Sequence, residues 1–377
     1  MLDQTWEVQF NREFPYIVFC EVGLTRERLG MSSVKVRDHL VIGVDIGGTK
    51  VAAGLVDPSG EILYHTRNPM ISTDGAASAL APVIKTIETA SAHLASAAGV
   101  HGLIRGVGIC APGPLDPNTG VVLNPPNLPC WRNFPLAAEV ARIYRVPVKV
   151  DNDANAAGLA ETLWGSGRGY RNVFYVTIGT GIGTAILLDG RIYHGRTGAA
   201  AEGGHMSIDY NGPRCGCGKR GCIEVLAAGP AIARRARTEL ENGRQSMLFE
   251  LAGGKPDQLT GEMVGRAAAA GDRAANQVLQ ETVELLSFWF GNIVDLLEPD
   301  VMIVGGGVAS MLQPFFGEIR DRLPGCCVNQ RSKEIPLVSA RYGEDAGVAG
   351  GAALCFEAPR DSKGPQPVVA PSVPLQQ

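Results

Sequence analysis

Basic residues are not in excess: 34 Lys and Arg stand against 38 Asp and Glu, a formal net charge of −4. That balance gives no electrostatic footprint for nucleic acid or an anionic membrane surface. Charged residues are sparse overall, 19% against about 25% in a typical soluble domain. No apolar run approaches the roughly 18 residues needed to cross a bilayer. The first residues, MLDQTWEVQF, lack the basic patch and apolar core of a secretory signal, so a cytoplasmic protein is expected.

What is abundant is glycine, with 48 among 377 residues, against about 7% in ordinary chains. No collagen-like period organises them, so they serve particular turns. Hydrophobic residues reach 45%, enough for a full core, and the length suits two or three domains. The nine cysteines are an odd number, and three of them (Cys215, Cys217, Cys222) lie close together. That pattern points to a reducing compartment and metal binding before disulfides.

Residues 1–37 show no clear hydrophobic period, and Met31 stands just ahead of a strand-like run. The sequence predicts an N-terminal extension here, either poorly ordered or upstream of the true start. Residues 359–377 hold several prolines and no apolar period, the signature of a disordered tail. Between these ends, strands are expected at 40–46, 51–56, 61–66, 104–110, 146–150, 173–179, 183–188 and 301–306. Helices are expected at 76–98, 136–145, from 154 onward, and at 229–241, 261–270, 273–297, 308–322 and 345–356. This alternation predicts an α/β chain with mixed sheets. A small lobe would comprise 38–150 plus 345–358, and a large lobe 151–344. The apolar stretch 283–297 suits a core helix or a subunit interface.

Three glycine turns follow buried strands. In Asp45-Ile46-Gly47-Gly48-Thr49-Lys50 the glycines let backbone N–H groups approach an anion. Thr49 and Lys50 add a hydroxyl and a charge, and Asp45 suits Mg²⁺, directly or through water. Neither a Walker pattern nor a strand–GxGxxG–helix unit stands there, and a plain hairpin turn explains the same glycines. Gly179-Thr180-Gly181-Ile182-Gly183 and Gly305-Gly306-Gly307 are the second and third. Together they suggest a nucleotide clasped between two lobes.

Asp151-Asn152-Asp153-Ala154-Asn155 follows a strand and opens a helix. Asp151 or Asn152 suits the N-cap, which is the ordinary reason for such residues at a helix start. The alternative makes Asp153 a base for a substrate hydroxyl, with Asn152 and Asn155 as polar neighbours. Farther on, His205, Cys215, Cys217 and Cys222 offer one imidazole and three thiolates for tetrahedral Zn²⁺. With no open position, that zinc is structural. Glu202 and Glu224 flank the knot (205–222), placed to hold a polyol through charge-assisted hydrogen bonds.

These segments together resemble the ROK family (repressors, open reading frames and sugar kinases), from about residue 40 to 356. The resemblance rests on GVDIGGTK, APGPLDPNTGVVLNPPNLPCWRNFPL, VKVDNDANAAGLAE, VTIGTGIG, the EGGH and CGCGKRGCIE block, and GGGV. It implies a two-lobed actin-like ATPase fold of the ribonuclease H-like class, with nucleotide and sugar in the interlobe cleft. It implies an ATP- and Mg²⁺-dependent kinase acting on the 6-hydroxyl of a hexose. Asp153 would be the general base. Asn152, Glu202, His205, Glu224 and, less centrally, Asn127 would hold the sugar. His205 would bind zinc through one ring nitrogen and face the sugar with the other.

By the same resemblance Gly47, Gly48, Thr49, Thr180 and Gly181 would hold phosphates, and Gly306 and Gly307 would lie along the adenosine. A homodimer or homotetramer is expected. Glucose is the first expected substrate, because LNPPNLPCW looks more like the glucokinase branch than the fructokinase branch. N-acetylmannosamine, mannose and fructose are the alternatives. The family's repressors carry an N-terminal winged helix of roughly 70–80 residues, whereas about 39 residues precede the first strand here. Cys130 stands in NLPCW where many members have Gly, and Cys110 precedes APGP.

Overall fold

The computed structural model describes residues 7–10, 17–20, 39–71, 75–96, 104–243 and 245–357. The expected tail 359–377 lies outside them, as does most of the expected extension. Within that extension, β1 (Glu7–Phe10) pairs antiparallel with β2 (Ile17–Cys20) in a sheet of its own.

The main chain then builds two five-stranded sheets. The first holds β3 (Leu40–Ile46), β4 (Lys50–Val56) and β5 (Ile62–Pro69), followed after α1 (Ala76–Ser96) by β6 (Ile104–Ala111). A small hairpin, β7 (Leu115–Asp116) and β8 (Val121–Val122), and α2 (Leu136–Tyr144) lead to β9 (Val148–Asn152). After α3 (Asp153–Leu163) comes the second sheet, beginning with β10 (Val173–Ile178), β11 (Ile182–Leu188) and β12 (Arg191–Ile192). A helical layer follows: α4 (Ile223–Ala227), α5 (Gly229–Glu241), α6 (Leu248–Leu251), α7 (Gly261–Ala269) and α8 (Arg273–Leu297). Then come β13 (Val301–Gly305), α9 (Ala309–Leu312), α10 (Phe316–Arg322), β14 (Leu337–Ser339) and α11 (Ala346–Leu354).

The two sheets share one plan. Their orders are β5-β4-β3-β6-β9 and β12-β11-β10-β13-β14. In each, three strands meander antiparallel and two more lie parallel to the first. Strand alternation explains the layering. Leu40, Ile42, Val44 and Ile46 face the core that includes α1, while Val41 faces α11. Phe174, Val176 and Ile178 face Trp289 and Phe290 of α8, while Val173 and Tyr175 face α3 and α11.

The two central helices, α3 and α11, pack on each other between the sheets. Both are rich in Ala and Gly, and close approach is the reason. A Cβ on Gly108 would stand 1.8 Å from the Gly351 carbonyl oxygen, and one on Gly43 1.9 Å from that of Val348. Gly108→Ala must therefore push α11 off the sheet. We expect a loss toward the upper end of the about 1–3 kcal/mol typical of overpacking, read by denaturant unfolding.

Most expected elements are present with shifted ends. The strand expected at 146–150 runs at Val148–Asn152, because Pro147 has no N–H and contributes only its carbonyl, to Val107 N. The helix expected over 308–322 is broken into α9, a 3₁₀ turn at Gln313–Phe315 and α10, with Pro314 at the break. In 283–297, Val283, Leu286, Trp289, Phe290, Ile293 and Val294 are core, while Phe288 and Leu296 are exposed. Among the described residues no helix is long and apolar enough to cross a membrane.

Candidate active site and metal centre

Asp45 is the second-to-last residue of strand β3, on the face toward α11. A Cβ on Gly347 would lie 2.4 Å from its carboxyl carbon. The buried Cys110 thiol donates to Asp45 Oδ1 (3.5 Å) and to the Gly347 carbonyl (3.2 Å). Burial pushes the Asp45 carboxyl above the ordinary range, opposed by that thiol and by the charges of Lys50, Arg67 and His65. Burial, with Asp45 and Asp153 nearby, pushes the Cys110 thiol well up, so it stays a neutral donor. The turn after β3 is closed by Gly47 N donating to the Lys50 carbonyl, 2.9 Å. Thr49 and Lys50 are exposed. Asn127 lies against this turn: a Cβ on Gly48 would meet its carbonyl at 3.1 Å.

Of the two expected caps, Asn152 is the one used. Its Oδ1 accepts from Ala154 N (2.9 Å) and Asn155 N (3.4 Å). Asp153 is the first residue of α3, and its Oδ1 accepts from Ala154 N at 2.8 Å. Its side chain is open to solvent on one side. Protein packed around the rest, with negative Asp45 nearby, raises its carboxyl above the ordinary value, against the pull of the Ala154 N–H. A carboxylate of raised pKa is a stronger base.

Asp151, directly before, is buried. It accepts from Asn152 N (2.7 Å), Asn155 Nδ2 (3.0 Å) and the buried His194 Nε2 (2.5 Å). Neither Asp151–His194 nor Cys110–Asp45 is visible in sequence, since each pair joins distant segments.

Glu202 is exposed, on backbone held tightly. Ala201 before it has φ 63°, a region that costs a non-glycine residue about 1–2 kcal/mol. Thr184 Oγ1 clamps this bend, donating to the Ala201 carbonyl and accepting from Gly203 N, while Trp289 Nε1 donates to the Gly203 carbonyl. Glu224 spends one oxygen on Ile182 N at 2.9 Å, and its other oxygen lies 3.9 Å from His205 Nδ1. A Cβ on Gly181 would strike that carboxylate at 2.6 Å, so the β10–β11 turn needs its glycine beside Glu224. Thr180 is exposed. Gly306 (φ 87°) packs on the end of β10, where a Cβ would reach Ile178 O at 2.4 Å; Gly307 faces open space.

The ligand atoms of His205, Cys215, Cys217 and Cys222 all lie within 4.8 Å of one another. Cys217 Sγ and Cys222 Sγ are 3.7 Å apart, and Cys215 Sγ is 3.6 Å from His205 Nδ1. A tetrahedron with Zn–S about 2.3 Å and Zn–N about 2.0 Å has edges of roughly 3.8 and 3.5 Å, so these residues fit zinc. Nδ1 is the ring nitrogen facing the cluster. Tight turns make the spacing possible: Gly218 and Gly221 have φ 92° and 61°. A Cβ on Gly221 would sit 1.7 Å from the Asp209 carbonyl.

The arrangement thus groups the carboxylates of Asp45 and Asp153, and it joins Gly181, Glu224, His205 and the cysteines. Comparisons with known proteins place the chain in a family. The ROK family model matches residues 41–358. The glucokinase of Thermotoga maritima is 33% identical over 318 residues, covering 84% of this chain and 97% of that protein. The xylose repressor of Bacillus subtilis is 26% identical over 322 residues, covering 84% and 77%. The crystal structure of a ROK family glucokinase from Streptomyces griseus, in complex with glucose and AMPPNP, is 33% identical. It superposes with a TM-score of 0.71 over 84% of this chain and 98% of that one. The doubled sheet plan, the family match and this neighbour establish an actin-like ATPase fold, and the chain belongs to the ROK family.

Proposed function

We propose that the protein is an ATP-dependent hexose kinase that phosphorylates the 6-hydroxyl of glucose. The observation carrying this reading is Asp153 itself: a solvent-accessible carboxylate of raised pKa at the start of α3, electrostatically linked to Asp45 beside a glycine turn. In this reading Asp153 orients the hydroxyl and takes its proton as that oxygen bonds to the γ-phosphorus and ADP leaves. Glu202, the remaining oxygen of Glu224, and His205 Nε2 receive sugar hydroxyls, with Asn152 and Asn127 beside them. Gly47, Gly48, Thr49, Lys50, Thr180 and Gly181 line the phosphates, and Gly306 and Gly307 the adenosine. Asp45 would hold Mg²⁺, which supplies charge neutralisation on the phosphoryl oxygens. A zinc held by His205, Cys215, Cys217 and Cys222 would be structural and would keep His205, and Glu224 two residues after Cys222, in register. Similarity to glucokinases supports glucose as the substrate.

The test is an ADP-release screen over glucose, mannose, fructose, N-acetylglucosamine and N-acetylmannosamine. Glucose is expected to give the highest kcat/KM; a higher value for another hexose moves the specificity, and no turnover on any overturns the kinase. Similarity to a xylose repressor favours a second reading, a sugar-responsive regulator. A mobility shift on DNA in low salt without ADP release would support it.

A further inference from the structure

We infer that His194 is a positioning residue that sets the general-base turn and the Glu202 loop in register through Asp151. The inference rests on the reading of Asp153 as base and Glu202 as sugar ligand. His194 follows β12, 43 residues from Asp151 in sequence, and its Nε2 stands 2.5 Å from Asp151 Oδ2. The two side chains are 6% and 5% exposed. The other Asp151 oxygen accepts from the Asn152 amide and from Asn155 Nδ2, both at the start of α3. His194 is therefore the contact through which a distant segment grips the turn that presents Asp153.

The same segment leads to Glu202. Between them Gly195, Gly198 and Ala201 all have positive φ, at 67°, 87° and 63°. Ala200 N folds back onto the His194 carbonyl at 3.2 Å, and Gly198 packs on Pro117, where a Cβ would come within 2.7 Å of its ring. The segment is thus a strap pinned at one end by Asp151 and at the other by Thr184. A strained residue such as Ala201 persists where its surroundings over-determine it. Without the imidazole, a buried carboxylate oxygen lacks its donor. The ready relaxation is rotation of Asp151 toward water, which displaces the Asn152 amide and with it Asp153.

The test compares His194→Leu with His194→Gln, whose amide nitrogen can donate near the position of Nε2. Two readouts are taken on the full zinc-loaded chain: hydrogen exchange of peptides over 150–156 and 199–205, and steady-state kinetics. In His194→Leu, exchange is expected to rise about tenfold in both peptides. Its kcat should fall by about tenfold or more, with the KM for MgATP within about twofold of wild type. His194→Gln should restore most of each. Unchanged exchange over 150–156 in His194→Leu overturns the inference. So do Leu and Gln variants with equal kcat, or a matching loss in the KM for MgATP. If His194→Leu is insoluble, His194→Asn, whose amide stops short of Asp151, takes its place with the same expectations. If the wild-type protein phosphorylates no sugar and His194→Leu still shows the exchange pattern, the kinase reading falls and the coupling stands.

Discussion

Asp153→Asn should lose nearly all sugar phosphorylation and yet unfold at a higher temperature than wild type. The kinetic half follows from the base: proton transfer by a positioned side chain contributes about 10²–10⁴-fold, and an amide cannot accept that proton. The sugar KM should change little, because Asn keeps the shape and the hydrogen bond from Ala154 N. The stability half follows from linkage. The protein packed against its inner side, with Asp45 nearby, holds the Asp153 carboxyl above its ordinary pKa, so the folded state binds the proton more tightly than the unfolded chain. That contribution is complete below the unfolded-state pKa and is lost as pH rises through the raised folded value. At neutral pH the ionised Asp153 therefore destabilises the fold, and a neutral amide relieves it. In wild type, kcat/KM should fall on the acid side with a limb above about 3.9, the value for a free Asp. Retention of more than about a tenth of kcat would remove Asp153 as the base. A lower Tm would instead show that the variant is damaged.

Cys217→Ser should strip the zinc and much of the stability with it. Cys217 is the exposed member of the knot, whereas Cys215 and Cys222 are buried. Ser at 217 therefore leaves no core cavity, and any fall in Tm reports the metal. Structural zinc in small peptide sites is worth about 10–16 kcal/mol at neutral pH, so even a part of that is large for a folded protein. Metal analysis should give close to one zinc per wild-type chain and almost none in the variant. The sugar KM should also rise, because His205 and Glu224 lose the scaffold that sets them. Full zinc occupancy in Cys217→Ser would exclude Cys217 as a ligand.

The cluster of His205, Cys215, Cys217 and Cys222 was legible because all four fall within 205–222, where short glycine turns bring them together whatever the rest of the chain does. The turn at Asn152–Asp153 was legible for the same local reason: a short polar cap after a strand and before a helix. The Cys110 thiol under Asp45, 65 residues away, was not. Nor was the buried Glu161 of α3, which accepts from the amides of Arg341, 180 residues on, and Tyr342 (2.7 and 3.0 Å). Those contacts depend on which strands become neighbours.

The sequence by itself determined most of the elements, the glycine turns and the grouping of His205 with three cysteines, because each depends on neighbours close in the chain. Only the tertiary structure decided their chemistry. Desolvation and the approach of Asp45 raise the carboxyl of Asp153, and the choice of His205 Nδ1 for the cysteine cluster follows from how the knot folds back. The grip of His194 on Asp151 exists because the second sheet meets the first across α3. Charge and hydrogen bonding depend on what stands within a few ångströms, and folding brings those groups together from distant parts of the chain.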